Sequence, residues 1–236
     1  MENDLALQLI DQNLKIYNKI AKLFSDTRQY VWEELKPFAE FVNKNDVVVD
    51  LGCGNGRLYQ IFADLPISYI GIDQSEELLV IARKQFQKGK FVQGSMLSIP
   101  LPNNSVDVIF CIAALQHIPG VDFQQKAIDE MKSVLKPGGK VILSNWNLFG
   151  EWGLKQVRVG KYKELGNGDF LVPWRDAEGG VLGERYYHGF TIEELVELFA
   201  SAGFRIEDQY YTKRAERSTK EQGENIITVA SLIISQ

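Results

Sequence analysis

Asp50-Leu51-Gly52-Cys53-Gly54-Asn55-Gly56 follows directly on the apolar run Val47-Val48-Val49, and this junction decides the fold. The apolar run reads as a buried strand. The three alternating glycines after it leave a backbone with few side chains in the way, an arrangement with an entropic cost and no packing return unless something approaches closely. In open α/β sheets ligands bind at the carboxyl ends of the strands, and Asp50 puts a carboxylate at that rim. The spacing narrows the ligand. A dinucleotide fingerprint, G-x-G-x-x-G, needs a glycine at position 57, which is Arg57. A phosphate loop needs Gly-Lys-Ser/Thr, and the chain has no such triplet. A fixed carboxylate beside the loop repels a pyrophosphate and suits a cationic amino group. The plain alternative is an ordinary tight strand-to-helix turn.

Outward from this junction, strand-like and helix-like segments alternate. Ile10, Leu14, Tyr17, Ile20 and Phe24 form one helical stripe, and a second helix is expected over 25–42 with Pro37 as its kink. Strands are expected at 47–51, 69–72, 90–93, 106–111 and 140–145. Helices are expected after Gly56, after Ser75 as N-cap, and from Asp122, with Gln125 three residues on, to the turn Pro137-Gly138-Gly139. Thr191 and Glu194 form a capping box for a helix running to Gly203. The segments 204–210 and 225–234 then complete the sheet as an antiparallel pair at one edge. Alternation of this kind predicts a single α/β domain over 1–236, its mostly parallel sheet covered by helices on both faces. The rhythm breaks over 146–189, a stretch rich in Gly, Trp and Tyr without sustained periodicity, expected to be a long functional loop or lid.

The 236 residues are 45% hydrophobic and 24% charged, enough for a sizeable core. No apolar stretch reaches the ~20 residues of a membrane span, and the acidic start Met1-Glu2-Asn3-Asp4 is no signal peptide. Cys53 and Cys111 point to neither a disulfide framework nor a zinc site, and no metal is expected. A reduced, cytoplasmic protein without membrane contact is the expectation. The net charge of −5 argues against broad nucleic-acid binding, but two basic tracts stand out: Lys155, Arg158, Lys161 and Lys163, then Lys213, Arg214, Arg217 and Lys220. Each is either a solvated face or a local anion-binding patch.

The run from Asp50 to Gly56 resembles motif I of the class I, Rossmann-like methyltransferases that use S-adenosylmethionine. That resemblance implies a seven-stranded sheet and a cofactor site built on Asp50, Gly52, Gly54, Asn55 and Gly56. Asp73, 17 residues beyond Gly56, is placed to accept hydrogen bonds from ribose hydroxyls, with Gln74 beside it, although an acid there also serves as a helix cap. After the 90–93 strand the family often has an acid toward the adenine amino group. Here Ser95 stands in that place, with Met96 either covering the adenine or filling the core. Residues 104–118 resemble the region around motif IV, which puts Ala113 and His117 beside the reactive sulfonium. His117 is a candidate base, but a hydrogen-bonded structural histidine is the preferred reading. Asp107 reads as a structural acid, and Leu135 to Lys140 resembles the family's turn before its fifth strand.

Two further stretches resemble the tRNA wobble-uridine carboxymethyl methyltransferases: the run from Tyr17 through Arg28 to Trp32, and the pair Val172-Pro173-Trp174 and Arg185-Tyr186-Tyr187-His188. The resemblance implies methyl transfer to the carboxylate of 5-carboxymethyluridine in a tRNA anticodon loop, with a small activator subunit as a possible partner. It also implies that the N-terminal helices, 1–44, lie over the cofactor with Tyr17 and Arg28 closing on it, and that 146–189 faces the substrate. Arg185 suits a carboxylate clamp; Trp174, Tyr186 or Tyr187 suits stacking of a flipped base; and His188 suits orienting the acceptor. The cluster could equally pack the insertion onto the sheet. A small-molecule O- or N-methyltransferase, with a small carboxylate among its possible acceptors, and a non-catalytic S-adenosylmethionine-binding subunit remain open alternatives.

Overall fold

The computed structural model describes residues 1–234. It opens with helix α1, Asn3–Asp26, ended by Thr27, whose Oγ1 donates to the carbonyls of Leu23 and Phe24. The single helix expected over 25–42 is absent. A 3-10 helix at Glu33–Phe41 stands there instead, because Pro37 removes a donor that an α-helix would need.

Strand β1, Val47–Leu51, leads into the short helix α2, Tyr59–Phe62. Then come β2, Ser68–Asp73, α3, Glu76–Gln85, and β3, Lys90–Gln93. The Ser75 hydroxyl caps α3 by accepting from the Leu78 amide at 3.2 Å. Next are β4, Val106–Ile112, α4, Val121–Val134, and β5, Leu135–Trp146. The expected start of α4 at Asp122 moves back: Gly120, at φ +77°, is the N-cap, and Asp122 lies in the first turn without capping it.

The stretch expected as a loop is structured. It contains α5, Glu151–Arg158, and the strands β6, Lys163–Gly166, β7, Asp169–Arg175, and β8, Val181–His188, which form a separate antiparallel sheet in that order. Leu148, Phe170, Val172 and Tyr187 give it a small core of its own. Helix α6, Ile192–Ser201, starts at the Thr191–Glu194 capping box. The chain ends with β9, Phe204–Lys213, β10, Glu216–Ser218, and β11, Asn225–Leu232.

Among the described residues the main sheet has the order β10-β9-β11-β5-β4-β1-β2-β3, eight strands rather than seven. The pairs from β5 to β3 are parallel; β11 runs antiparallel between β5 and β9, and β10 adds an antiparallel hairpin strand at the edge. Each central strand is buried on both faces. Val49, Ile109 and Leu143 pack with Phe199 of α6 and Met131 of α4. Val48, Phe110 and Ile142 pack on the other face with Leu35, Phe38, Phe62 and Leu79. Strand order reverses at β1, with β2 on one side and β4 on the other, which makes the carboxyl ends of β1 and β4 the place for a ligand crevice. Among the described residues no helix is long and apolar enough to cross a membrane.

Candidate active site

A cleft opens where the topology places it, lined by Asp50 at the end of β1, Asp73 at the end of β2, Ala113 just after β4 and Trp146 at the end of β5. The glycine loop is its floor. The amides of Gly52 and Cys53 both donate to the Ile72 carbonyl, at 2.7 and 3.0 Å, and the Gly54 amide donates to Asp73 Oδ2 at 2.8 Å. Asp73 Oδ1 accepts from the Ser75 amide at 2.8 Å, so this carboxylate clamps the loop to the start of α3 while keeping lone pairs to spare. All three glycines have positive φ. A methyl group on Gly56 would meet the Phe91 ring at 2.7 Å, and one on Gly52 would meet Ala114 Cβ at 2.4 Å, so these two serve packing. At Gly54 the nearest atom is a Phe24 ring carbon at 3.6 Å, which leaves its backbone open to the cleft.

Asp50 is 2% exposed and accepts a hydrogen bond from the Tyr69 hydroxyl at 2.7 Å. Burial pushes its carboxyl up to about 7; the Tyr69 bond and Arg57 pull down, and Asp73 adds to the rise.

The N-terminal helix roofs the cleft because its polar residues replace backbone partners on two elements. The Asn13 side chain accepts from the Tyr186 amide at 2.7 Å and donates to the Tyr186 carbonyl at 3.0 Å, as a neighbouring strand would. Asn18 Oδ1 accepts from Ser75 Oγ at 2.7 Å, tying α1 to the cap of α3. Asn55 donates to the Arg28 carbonyl at 3.1 Å, which joins the glycine loop to the segment after α1.

Three guanidinium groups face this space. Arg28 lies 4.6 Å from the Phe24 ring and 4.8 Å from that of Trp174. Arg57 lies 4.0 Å over Trp32, with Nη1 unpartnered; burial and Arg28 lower its pKa to about 10. Arg185 is 4% exposed, sits among the rings of Tyr17, Trp174 and Tyr187, and its Nε has no partner among the described residues. Its Nη1 donates to Tyr17 Oη at 3.1 Å. Tyr17 then donates to His117 Nε2 at 3.0 Å, and His117 Nδ1 donates to the Tyr186 carbonyl at 3.1 Å. The carbonyl can only accept, which assigns the proton to Nδ1 and agrees with the Tyr17 bond. Burial drives the His117 pKa down to about 3 against the Tyr186 bond, and Arg185 lowers it further. The imidazole is neutral, with both nitrogens engaged.

Of the residues singled out in the sequence, Tyr17, Arg28, Asp50, Gly52, Gly54, Asn55, Asp73, Gln74, Met96, Ala113, His117, Arg185 and Tyr187 line the cleft together. Gly56, Ser95, Trp174 and His188 do not. Ser95 lies just behind the lining, where Oγ accepts from the Leu97 amide at 3.1 Å and from Gln74 Nε2 at 3.4 Å. Trp174 backs Arg28 and Arg185 from outside. His188 faces away: Nδ1 is 2.8 Å from Asp169 and Nε2 is 3.6 Å from Glu194, so the expected role in orienting an acceptor is not matched by its position. Tyr186 points the same way, donating to Asp169, and cannot stack a base in the cleft. Arg57, Gln116 and Trp146, which no motif marks as site residues, also line it. Trp146 had a signal available, since it ends the strand beside β4 and the carboxyl-end rule applies to it as to Asp50.

The methyltransferase domain family matches residues 49–143, from β1 into β5. The chain is 30% identical to the tRNA (carboxymethyluridine(34)-5-O)-methyltransferase of Schizosaccharomyces pombe, over 84% of this chain and 91% of that one. A SAM-dependent methyltransferase from Methanosarcina mazei superposes with a TM-score of 0.71 at 24% identity, covering 87% of this chain and all of the other. A putative methyltransferase from Haloferax volcanii, solved in complex with the methyltransferase activator Trm112, gives 0.68 at 18% identity, with 95% and 99% covered. The chain belongs to the class I S-adenosylmethionine-dependent methyltransferases, in the family that contains the tRNA (carboxymethyluridine(34)-5-O)-methyltransferases, and is an enzyme with S-adenosylmethionine as its methyl donor.

Proposed function

We propose that this enzyme methylates the carboxylate of 5-carboxymethyluridine at the wobble position of tRNA, forming a methyl ester. The observation that carries this reading is the Arg185 guanidinium, buried at the cleft with Nε orphaned and in none of the ion pairs among the described residues. An unpaired buried charge is costly, and the surrounding rings offset only part of that cost. A ligand that brings a carboxylate completes the site, and the planar fork matches it with paired hydrogen bonds.

The residues present fit the cofactor. In this reading Asp50 receives its ammonium group, Arg28 and Arg57 its carboxylate, the spare lone pairs of Asp73 its ribose hydroxyls, and Met96 a face of its adenine. The open backbone at Gly54 leaves room for its close approach. When bound, S-adenosylmethionine supplies a methyl group on a positively charged sulfur. The chain's part is alignment. Arg185, fixed by Tyr17 and His117, aims a carboxylate oxygen, while α1 keeps water out. A carboxylate is ionised well below neutral pH, since free acids titrate near ~4, so no general base is required. A His117 held neutral with both nitrogens occupied agrees with that.

The partner in this reading is the tRNA anticodon loop, in the cytoplasm. An activator subunit is added to the proposal on the strength of the Haloferax volcanii complex. The test is transfer of label from S-adenosylmethionine to tRNA carrying 5-carboxymethyluridine, with and without candidate activators. Alkali-labile label in the tRNA is expected. Arg185→Lys, which keeps the charge and loses the fork, should lower kcat/KM at least tenfold with cofactor affinity within twofold of wild type. Label appearing only in small carboxylic acids from a metabolite extract would reject the tRNA and leave the anion site standing.

A further inference from the structure

Beside the methyl-transfer cleft lies a second cavity that shares two of its residues, Trp32 and Trp146. Its wall is aromatic: Trp152 and Tyr162 meet edge to face at 5.9 Å, and Trp152 meets Trp146 the same way, also at 5.9 Å. Trp146 in turn stacks on Tyr187, whose ring lies 5.2 Å from the Arg185 guanidinium. Trp152 leaves 41% of its surface exposed, a large apolar area for a side chain on the rim of an open cavity. Glu33, Glu34 and Glu224 line the cavity as well. Glu34 is held in place by Asn225, whose Nδ2 donates to its Oε1 at 2.8 Å.

The segments that carry the two basic tracts both contribute to this cavity. Trp152 and Tyr162 belong to the segment that carries Lys155, Arg158, Lys161 and Lys163, and Arg214, from the other tract, also lines the cavity. Two hydrogen bonds join the segments: Asn147 Nδ2 donates to the Lys220 carbonyl at 2.7 Å, and the Glu151 amide donates to the Glu221 carbonyl at 2.7 Å. Lys155, Arg158, Lys161, Lys163 and Arg214 are exposed, and none is in an ion pair among the described residues.

We propose that this cavity holds the unstacked base of the acceptor nucleotide, with Trp152 and Tyr162 as its stacking surface, Glu34 as acceptor for a ring N–H, and the flanking lysines and arginines on the neighbouring phosphates. The proposal rests on the RNA reading above and adds the place where the ring lies. Charge separates the parts of the ligand. The carboxylates repel a phosphate but accept from the N3–H of a neutral pyrimidine, whereas Arg214 and the exposed cations of the two flanking segments attract the strand's backbone. In this proposal the ring's substituent points past Trp146, a residue common to both cavities, to the side where Tyr187 and Arg185 lie.

The experiment has two readouts. For Trp152→Ala and Tyr162→Ala, each checked for folding by thermal melting, the KM for tRNA carrying 5-carboxymethyluridine should rise roughly 5- to 100-fold, the range expected when one base loses its aromatic partner. Cofactor affinity should stay within twofold, and Glu34→Gln should raise KM less than either. Independently of turnover, 5-carboxymethyluridine monophosphate should quench tryptophan fluorescence in wild type, with most of the quenching lost in Trp152→Ala. If wild type transfers nothing to tRNA but the quenching is present, the substrate reading fails and the base site stands. Unchanged KM together with unchanged quenching in folded variants overturns the site. So does tighter binding of tetramethylammonium than of the nucleotide, which would make the cavity a cation cage.

Discussion

Asp50 is the residue at which burial does the most for chemistry. Its carboxyl has been raised to about 7 by desolvation, with the Tyr69 hydroxyl as its one direct partner among the described residues, so in the free protein at pH 6 it is mostly protonated. An ammonium group beside it favours the ionised form, and binding must then release a proton. Cofactor affinity is therefore expected to rise with pH, up to tenfold per unit below 7, and to level off above. Titration calorimetry between pH 5.5 and 8.5 measures this, and Asp50→Asn should give weaker and nearly pH-independent binding. A flat profile in wild type would remove Asp50 from the ammonium site. The residue was legible because its signal is local: an acid, three glycines and an apolar run within ten positions. His188 departs from its expected place for a reason equally local. Arg185-Tyr186-Tyr187-His188 is a strand, and alternate side chains leave on opposite faces, so Arg185 and Tyr187 reach the cleft while Tyr186 and His188 meet Asp169.

At the level of elements, the same alternation gives the insertion its structure. Phe170 and Val172 of β7 turn inward with Tyr187 of β8, a period-two pattern interrupted by Pro173 and Gly183 and therefore faint in the sequence. Besides the bonds that Asn13, Tyr17 and His117 make with β8, this small sheet is tied to the body by His188, between Asp169 on β7 and Glu194 in the first turn of α6. Burial acts to lower the His188 pKa, but hydrogen bonds to Asp169 and Glu194, with their charges, raise it to about 9. A histidine whose folded pKa lies above its unfolded ~6.5 adds stability that is complete below the unfolded value and is lost as pH rises through the folded one. The contribution is of order 3 kcal/mol at full protonation, from roughly 2.5 units at 1.36 kcal/mol each. Urea unfolding should show wild type losing stability between pH 7 and 10. His188→Gln should be less stable at pH 6 and should lose much less over that interval. Equal pH dependence in both proteins would show that the imidazolium does not hold the insertion.

Strand order is the part that sequence could not supply, because it is set by contacts between distant segments. The last strand, β11, lies between β5 and β9, and nothing in residues 225–232 alone says so. The eighth strand was hidden differently. Arg214 and Ala215 turn the β9–β10 hairpin at φ +50° and +68°, without the Gly, Asn or Asp that usually marks such a turn. That hairpin matters to the whole molecule because it brings the second basic tract to the aromatic cavity. The net charge of −5 opposes any approach to RNA, yet the Debye length at physiological salt is only about 8 Å, so charges near the contact outweigh the total. Replacing Lys155 and Lys161 by Gln takes the net charge from −5 to −7, and so does replacing Lys84 and Lys88, at the end of α3 toward the β3 edge of the sheet. If overall charge governs, the two double variants bind tRNA alike. If the tracts touch phosphates, only the first loses affinity, and its slope of log K against log salt becomes shallower by about 0.7–0.9 for each contact removed. The expected outcome is the second, measured by fluorescence anisotropy of a labelled anticodon stem–loop from 50 to 300 mM salt. Equal slopes in the two variants would place the RNA elsewhere on the surface.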